Sequence, residues 1–484
     1  MIIVSQREKR YRGAMRGRVK HEAGSWIRQG DGRGRAKHEA GRQGFTRLAV
    51  GYPTASLTNM RRISKKPRWQ TFLLPLSMAA VGPAGAQPAA QFDAPSATSG
   101  SPAPAASAVA PSRPSLIVLI TVDQFRADYL DRFRPQLKGG LARLLTNGAV
   151  FTDAHHDHAI TETAPGHATL LSGRYPRSTN IMLNRVGVED VNAPLIDGGI
   201  GTGASPARFQ GTALLDWLLA RDSKTRSLSV SMKDRGAILP FGRTKTDVYW
   251  YSIDGRFVTS SYYASSLPTW VKSFNDRKAA LSYAGKQWTL LLPESEYKER
   301  DSVVFEGEGL EVAFPHPIPT DPARATSLVR LTPYIDELTL SFALHGLNEK
   351  GLGTDNGDAP RTDLLAVSLS ATDVIGHRYG PDSREMHDQV LQLDRLLGVF
   401  LDSLYKLRDS TRITIALSSD HGVGTIPEVA ASVVPTPNPM PVRGVSLYDL
   451  LPPLRMRMAA AKVDSNAIDV DGQILLLSRA AFKG

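Results

Sequence analysis

"SLIVLITV", at residues 115–122, is the stretch that decides the fold. It is a nearly continuous apolar run, and so are "LLAVSLSA" at 364–371 and "RITIALSS" at 412–419. Strands that are buried on both faces of a parallel sheet show this pattern, whereas strands with one solvated face alternate apolar and polar residues. The three runs therefore predict neighbouring strands of one parallel sheet.

Helical patterns lie between these runs. They are "GGLARLLTNGA" at 139–149, "GTALLDWLLARD" at 211–222 and "EMHDQVLQLDRLLGVFLDSLYKL" at 385–407. Strands that alternate with helices are typical of α/β domains. We predict an α/β fold with a doubly wound, mostly parallel sheet.

The basic charge of the chain is concentrated in its N-terminal part. Residues 1–69 contain 18 Lys and Arg but only 4 Asp and Glu, which accounts for the formal net charge of +11 over the 484 residues. Because this excess lies outside the predicted folded domain, it does not indicate a specific nucleic-acid partner.

The first 114 residues read as segments that precede a domain. Residues 1–59 repeat "RGR-KHEAG" without apolar periodicity, so we expect them to be disordered or to follow from a start codon upstream of the true one, Met60. Residues 60–86 combine basic, apolar and small-residue parts and resemble a signal peptide, too short for a membrane span. Residues 87–114, rich in Ala, Pro and Ser, predict a linker.

An aspartate follows each of the three apolar runs: Asp123, Asp373 and Asp420. Asp after a strand is commonly a turn former, but the carboxyl ends of parallel strands meet at one edge, where functional crevices lie. Two histidines accompany these carboxylates, since His377 is one helical turn beyond Asp373 and His421 follows Asp420. Carboxylates and imidazoles are zinc ligands, and like charges in one crevice require a cation.

A second signal is "ITETAPGHATLLSG" at 160–173. Pro165 is favoured at the first position of a helix, which we expect to end at Gly173. Thr163 would then lie at or before the helix N-terminus, where it is either an ordinary cap or a hydroxyl placed beside an anion-binding site.

The cluster "HHDH" at 155–158 also looks like a metal site. Alternation along an extended segment sends neighbouring side chains to opposite faces, and no partner spacing accompanies these residues. We therefore do not predict it as a ligand set.

Taken in order, these motifs resemble the alkaline phosphatase superfamily. They are Asp123, "TAPGH" at 163–167, "KDR" at 233–235, "SATDVIGH" at 370–377 and "SSDHG" at 418–422. The resemblance covers about residues 115–425 and is greatest to the PafA type, phosphatases with a threonine nucleophile and two zinc ions, which are related to type I phosphodiesterases and nucleotide pyrophosphatases. It implies a catalytic domain over 115–484 with an inserted cap at about 240–345.

The resemblance also implies residue roles. Asp123, Asp420 and His421 would hold one zinc ion, which also binds the oxygen of Thr163, the nucleophile. Asp373 and His377 would hold the second zinc ion, which stabilises the leaving oxygen and activates water. Three further residues would bind the phosphoryl oxygens: Asn184, Lys233 and Arg235. For Lys233 and Arg235 the alternative is a solvated strand end, but alternation after the apolar "SLSVSM" favours a shared face.

One feature departs from the resemblance. The family takes a further histidine for the second zinc ion from a C-terminal segment, and no His follows His421 in this chain. We therefore expect a C-terminal truncation or a second site that is built differently.

The function implied is zinc-dependent hydrolysis of phosphate monoesters through a phosphothreonine. A phosphodiesterase or nucleotide pyrophosphatase of the same superfamily is the first alternative, and a truncated, inactive pseudo-phosphatase is another. A sulfatase is excluded because its C/S-x-P-x-R motif does not occur. We expect small phosphate esters as partners, no stable membrane anchor, and a periplasmic or secreted location. The oligomeric state does not follow from the sequence.

Overall fold

The computed structural model describes residues 2–6, 113–185, 187–303, 306–307, 312–354, 361–427, 429, 446–471 and 474–478. The predicted signal peptide, most of the predicted linker and most of the predicted disordered segment lie outside these ranges.

The β-strands of the described residues are β1 (Ile2–Gln6), β2 (Leu116–Val122), β3 (Ala149–Phe151), β4 (Ser227–Ser231), β5 (Asp247–Tyr251), β6 (Phe257–Val258), β7 (Gln287–Trp288), β8 (His316–Pro317), β9 (Asp363–Leu369), β10 (Ile413–Ser418), β11 (Ile468–Asp471) and β12 (Ile474–Leu477). Each of the three predicted strands is present, as β2, β9 and β10.

The α-helices of the same residues are α1 (Tyr129–Arg132), α2 (Gly140–Asn147), α3 (Thr163–Leu170), α4 (Pro176–Thr179), α5 (Leu214–Arg221), α6 (Asp234–Ile238), α7 (Thr269–Asp276), α8 (Pro322–Leu328), α9 (Tyr334–Glu349), α10 (Ala371–Tyr379), α11 (Arg384–Leu407) and α12 (Leu447–Ala460). The three predicted helices correspond to α2, α5 and α11.

One sheet organises the domain. Its strand order is β3-β1-β10-β2-β9-β4-β5-β6. Strands β10, β2, β9, β4 and β5 run parallel, whereas β6 at one end and β1 and β3 at the other pair antiparallel. The prediction of a mostly parallel sheet is confirmed.

Helices cover both faces of this sheet, because alternate residues of β9 belong to different apolar clusters. Leu365, Val367 and Leu369 pack with residues of α2, α9, α10 and α11. Leu364 and Ala366 pack instead with residues of α3, α5 and α6. The central strands are therefore buried on both sides, which is the physical reason for their continuous apolar sequence.

Strand β1 differs from the prediction of disorder for residues 1–59. Residues Ile2–Gln6 pair with β10 over five positions, from Ile2 opposite Ser418 to Gln6 opposite Thr414, and with β3 over three. The prediction is wrong for these five residues, because "IIVSQ" has strand propensity and finds the open edge of β10.

The first and last elements of the predicted cap, at about 240–345, are part of the core. Strands β5 and β6 belong to the main sheet, and α9 contacts β4 and β9. Between them lie α7, the paired strands β7 and β8, and α8. Within the residues that the structure describes, no helix is long and apolar enough to cross a membrane.

Candidate active site

The functional side chains meet at the carboxyl ends of the parallel strands. Asp123 follows the last residue of β2, and its N–H donates to Leu369 O at the end of β9 at 2.9 Å. Lys233 comes after β4, and Asp420 comes after β10. Thr121 lies opposite Ser418 and Val122 opposite Leu369, so β2, β9 and β10 end side by side. This register brings distant parts of the chain to one crevice.

Thr163 is the first residue of α3, so the predicted place at a helix N-terminus is correct. The predicted helix bounds are wrong, since Pro165 is the third residue and the helix ends at Leu170 rather than Gly173. A proline is tolerated there because the first turn has no internal acceptor for its N–H groups. The Thr163 side chain is buried, and its Oγ1 lies 3.4 Å from Asp123 Oδ1.

Glycine allows α3 to approach the loop after β10. A Cβ atom at Gly166 would lie 2.3 Å from the backbone oxygen of Asp420 and 2.8 Å from its Cβ. Any larger residue would separate Thr163 from the aspartate, so the glycine of "TAPGH" keeps the nucleophile candidate against the carboxylates.

Lys233 is the central cation of the site. Its Nζ lies 2.6 Å from Asp123 Oδ2 and 2.5 Å from Asp373 Oδ2, and it donates to Thr163 Oγ1 at 3.2 Å. Burial alone would lower the pKa of this ammonium, but the two carboxylates outweigh burial and raise the pKa. Lys233 is thus held among the carboxylates. It precedes α6 and is not part of a strand, so our argument from strand alternation does not apply to it.

Asp420 and His421 lie close to Asp123. His421 Nε2 is 3.4 Å from Asp123 Oδ1 and 3.9 Å from Asp420 Oδ2. Burial would lower the pKa of His421, but the hydrogen bond to Asp123 and the charge of Asp420 raise it to about 9. Both predicted residues are therefore in the crevice, close to Asp123.

His167, for which the sequence suggested no role, contacts the carboxylate of Asp420. Its ring is fully buried, with Nδ1 2.9 Å from Asp420 Oδ2 and Nε2 2.8 Å from Ser368 Oγ. Burial would raise the pKa of Asp420, but the charge and hydrogen bond of His167 hold it well below its usual range. Imidazole contacts of this kind fix the orientation of a ligating carboxylate.

Helix α10 carries Asp373 and His377 on one face, as their spacing predicted. His377 Nε2 is 3.4 Å from Asp373 Oδ1, and the His377 ring is largely exposed. Burial and Asp123 would raise the pKa of Asp373, yet His377 and Lys233 outweigh them and lower it. The Gln124 amide, also missed from the sequence, donates from Nε2 to Asp373 Oδ1 at 3.1 Å.

Asn184 and Arg235 border the crevice. Asn184 Oδ1 accepts the N–H of Ala164 at 2.8 Å, and this contact fixes the amide beside the start of α3. Arg235 lies in the first turn of α6, and its Nε is buried without a hydrogen-bond partner among the described residues. Asn184 thus lies beside the residue that follows Thr163, and Arg235 lies two residues after Lys233.

The "HHDH" cluster contacts backbone oxygens and one carboxylate. His156 Nε2 is 2.9 Å from Ser419 O, and His158 Nδ1 is 2.9 Å from Ile160 O. His155 turns away and lies 2.9 Å from Asp153. The alternation that we expected is present, since the rings of His156 and His158 are neighbours with centroids 5.3 Å apart.

The donor set fits a divalent cation. Asp123, Asp373 and His421 are buried and offer ligand atoms that all lie within 4.8 Å of one another. Carboxylate oxygens and imidazole nitrogens are the ligands that zinc takes in catalytic sites. This group combines residues that the resemblance divides between two zinc ions.

The roles of His167 and Gln124 were not predicted from the sequence, for a shared reason. His167 and Gln124 act through contacts to residues more than 200 positions away, and nothing in their local sequence announces those contacts. The only available signal was their position, inside "TAPGH" and directly after Asp123.

Comparison with known proteins agrees with this geometry. Residues 117–466 match the profile of the family described as type I phosphodiesterase / nucleotide pyrophosphatase. The chain is 33% identical to alkaline phosphatase PafA of Elizabethkingia meningoseptica over 331 residues, which are 64% of this chain and 60% of the relative. It is also 33% identical to alkaline phosphatase PhoV of Synechococcus elongatus over 343 residues, 67% of this chain and 62% of that protein.

A solved structure confirms the fold. The crystal structure of alkaline phosphatase PafA aligns with a TM-score of 0.67 and 30% identity, covering 77% of this chain and 73% of that one. The chain spans about 60% of the length of the curated relatives named above. The resemblance to the alkaline phosphatase superfamily is confirmed, and the chain belongs to the type I phosphodiesterase / nucleotide pyrophosphatase family.

Proposed function

We propose that this chain hydrolyses phosphate monoesters, with Thr163 as the nucleophile and two zinc ions as cofactors. The observation that carries the proposal is the place of the Thr163 hydroxyl. It lies buried at the N-terminus of α3, between Asp123 and the Lys233 ammonium. The Lys233 ammonium and the N–H groups at the start of the helix both favour a negatively charged oxygen at this place.

The two zinc ions would be held by the residues of the crevice. Asp123, Thr163, Asp420 and His421 would hold one, and Asp373 and His377 would hold the other. Bound zinc supplies positive charge that favours a deprotonated hydroxyl and stabilises a leaving oxygen. The carboxylates already lie together, and His167 holds Asp420 in its orientation.

The reaction proceeds in two displacements. Thr163 Oγ1 releases its proton to solvent and attacks phosphorus, the bond from phosphorus to the ester oxygen breaks, and the alcohol leaves with a proton from solvent. Water then loses a proton to solvent and attacks the phosphothreonine, the bond between phosphorus and Thr163 Oγ1 breaks, inorganic phosphate is released, and Thr163 Oγ1 takes up a proton from solvent. A covalent intermediate divides one difficult substitution into two easier ones.

The chain's own cations and amide would bind the phosphoryl group. Lys233 already contacts the nucleophile, and Arg235 has a buried donor nitrogen without a partner among the described residues. Asn184 is fixed beside Thr163 through Ala164 N. Such preorganised donors stabilise the charge that develops on the oxygens during substitution.

Phosphodiester hydrolysis is the second candidate, because the matching family profile carries that name. A diester presents one negative charge, whereas a terminal monoester presents two near neutral pH. Two cations at one crevice therefore favour the monoester, and we propose small monoesters as the substrate class.

We also propose export to the periplasm or the medium. The support is the signal-peptide pattern at 60–86, with Ala84 and Ala86 as small residues before the cleavage point. Export with cleavage after Ala86 would give a mature chain that starts at Gln87 and lacks β1.

The experiment compares the 484-residue chain with Thr163→Ala and Thr163→Ser, each supplied with Zn²⁺, on p-nitrophenyl phosphate and bis-p-nitrophenyl phosphate. We expect turnover of the monoester by the parent chain and by Thr163→Ser, and a loss of at least about 10³-fold in Thr163→Ala, as for removal of other covalent nucleophiles. Metal content should be similar in all three. Full turnover by Thr163→Ala would contradict the role of Thr163, and a faster diester reaction would favour the second candidate.

A further inference from the structure

Ser368 places a hydroxyl inside the sheet, near the carboxyl end of β9. It lies opposite Thr121 of β2 and Ser231 of β4, and 2% of its surface is exposed. Its neighbours along β9 are Val367 and Leu369, so packing of the sheet does not require a hydroxyl at this position. Buried hydroxyls need a hydrogen-bond partner, and the partner here is an imidazole of the crevice.

The His167 ring is that partner, and it connects three parts of the crevice. Its Nε2 is 2.8 Å from Ser368 Oγ. Its Nδ1 lies 2.9 Å from the backbone oxygen of Thr163 and 2.9 Å from Asp420 Oδ2. The ring is fully buried, so both nitrogens depend on these protein partners. One nitrogen thus contacts the proposed nucleophile's backbone and a proposed metal ligand, and the other contacts Ser368.

The orientation of this ring depends on its partners. The last side-chain torsion of histidine is broad and nearly two-fold, so the torsion itself does not select one ring orientation. A half-turn would exchange Nδ1 with Cδ2 and Nε2 with Cε1, and carbon atoms would then face Asp420 and Ser368. The hydroxyl opposes this half-turn at the far end of the ring. Because a hydroxyl can both donate and accept, it holds Nε2 whether or not that nitrogen carries a proton.

The Ser368 hydroxyl is itself confined by α6. A Cβ atom at Gly236 would lie 2.9 Å from Ser368 Oγ and 2.6 Å from Ser231 Oγ. Glycine therefore permits α6 to approach the two hydroxyls closely. Helix α6 directly follows Lys233. Ser368 thus lies against the helix that follows the central cation and contacts the imidazole that holds the nucleophile's helix.

We propose that Ser368 is a positioning residue for Thr163 and Asp420, and that it acts through the His167 imidazole. The hydroxyl keeps Nε2 toward β9 and thereby keeps Nδ1 beside the Thr163 backbone oxygen and the Asp420 carboxylate. This inference rests on the proposed function, in which Thr163 attacks phosphorus and Asp420 ligates a zinc ion. Contacts behind a ligating group hold it in its binding orientation, and their loss weakens metal binding by about 10–100-fold.

The first test is a titration of the 484-residue chain with Zn²⁺ by isothermal calorimetry, without substrate. Ser368→Ala removes the hydroxyl and adds no bulk, so the variant should fold. Its affinity for one zinc ion should fall by about 10-fold, because Asp420 loses its fixed orientation. The other binding event should be unchanged. Circular dichroism of each variant confirms that the chain is folded.

Ser229→Ala is the matched control. Ser229 is a fully buried serine of the adjacent strand β4, and its hydroxyl donates to the backbone oxygen of Ala237 rather than to a residue of the crevice. Loss of a buried hydroxyl should lower the Tm of both variants to a similar extent. Only Ser368→Ala should also lose zinc affinity, which separates a positioning role from a role in packing alone.

A double-mutant cycle tests whether Ser368 acts through His167. His167→Asn places an amide nitrogen where Nδ1 lies but has no atom that reaches Ser368, whereas His167→Leu offers no donor. We expect His167→Asn to bind zinc more tightly than His167→Leu. In the His167→Asn chain, adding Ser368→Ala should change neither zinc affinity nor the single-turnover rate at which p-nitrophenyl phosphate phosphorylates Thr163.

The outcomes separate the alternatives. Equal zinc affinities of Ser368→Ala and Ser229→Ala overturn the inference and leave the proposed function intact. A further loss when Ser368→Ala is added to His167→Asn also overturns it, because the hydroxyl would then act without the imidazole. A parent chain that binds no zinc overturns the proposed function and this inference together, and that result is distinguishable because it appears without any substitution.

Discussion

At the scale of one residue, the surroundings of Arg235 support the proposal that the crevice binds an anion. Its Nε is buried and unpartnered among the described residues, and the nearest carboxylate pairing is a long one, 3.6 Å from Nη1 to Asp234 Oδ1. The like charge of Arg235 also opposes protonation of Lys233, so the two cations are near each other. A dianionic phosphoryl group would satisfy both.

We therefore expect Arg235→Ala to lower kcat/KM for p-nitrophenyl phosphate by about 100-fold, the effect of removing one preorganised donor to a developing charge. The loss on bis-p-nitrophenyl phosphate should be much smaller. Arg221→Ala, at an exposed arginine of α5, is the control and should change neither. Equal losses on the two substrates would show that Arg235 does not select the monoester.

Helix α10 carries Asp373 and His377. A buried carboxylate accepts a hydrogen bond from the first turn of this helix. Asp336 of α9 is fully buried and accepts the N–H of Ala371 at 3.0 Å and of Gln389 Nε2 at 3.2 Å. Burial raises the pKa of Asp336 to about 7. The position of α10 thus depends on a group that titrates near neutral pH.

This pKa predicts a pH dependence of stability. The folded chain binds the Asp336 proton more tightly than the unfolded chain, whose aspartates titrate near pH 4. Folding should therefore become less favourable as pH rises from about 4 to about 7, by up to about 4 kcal/mol. The free energy of unfolding of Asp336→Asn should depend less on pH over this range.

Urea unfolding at several pH values, with chelator present, measures this difference. Asp131→Asn, at an exposed carboxylate, is the control and should follow the parent chain. The account of Asp336 is wrong if the parent and Asp336→Asn lose stability in parallel between pH 4 and pH 7.

The elements were predictable to different degrees. Strands β2, β9 and β10 could be predicted because burial on both faces requires a continuous apolar sequence. Helix α10 could be inferred from the spacing of Asp373 and His377. The start of α3 was misplaced because Pro165 is tolerated anywhere in the first turn. The strand-alternation argument for Lys233 failed and Gln124 was missed, because the contacts of both residues come from across the sheet rather than from neighbours in sequence.

At the scale of the whole molecule, strand β1 closes one side of the parallel core. It pairs with β10 along five residues and with β3 along three, so it lies between the last parallel strand and the edge. Without it, the backbone groups of β10 on that side would be unpaired, and an open strand of this kind favours association with other chains.

Deletion of residues 2–6 should therefore lower the free energy of unfolding by about 2–5 kcal/mol, at roughly 1 kcal/mol for each net hydrogen bond, and should increase aggregation. Deletion of residues 16–59 is a control at the same end of the chain and should leave the free energy of unfolding unchanged. Urea unfolding and light scattering measure both. Identical behaviour of the two deletions would mean that β1 contributes nothing to the sheet.

The most direct measurement of the central claim is detection of the covalent intermediate. The Zn²⁺-loaded 484-residue chain is mixed with p-nitrophenyl phosphate, quenched in acid, digested and analysed by tandem mass spectrometry. We predict a phosphate group on Thr163 in the parent chain and its absence in Thr163→Ala. Phosphate on another residue, or rapid turnover with Thr163 never modified under conditions that trap such intermediates, would contradict the account.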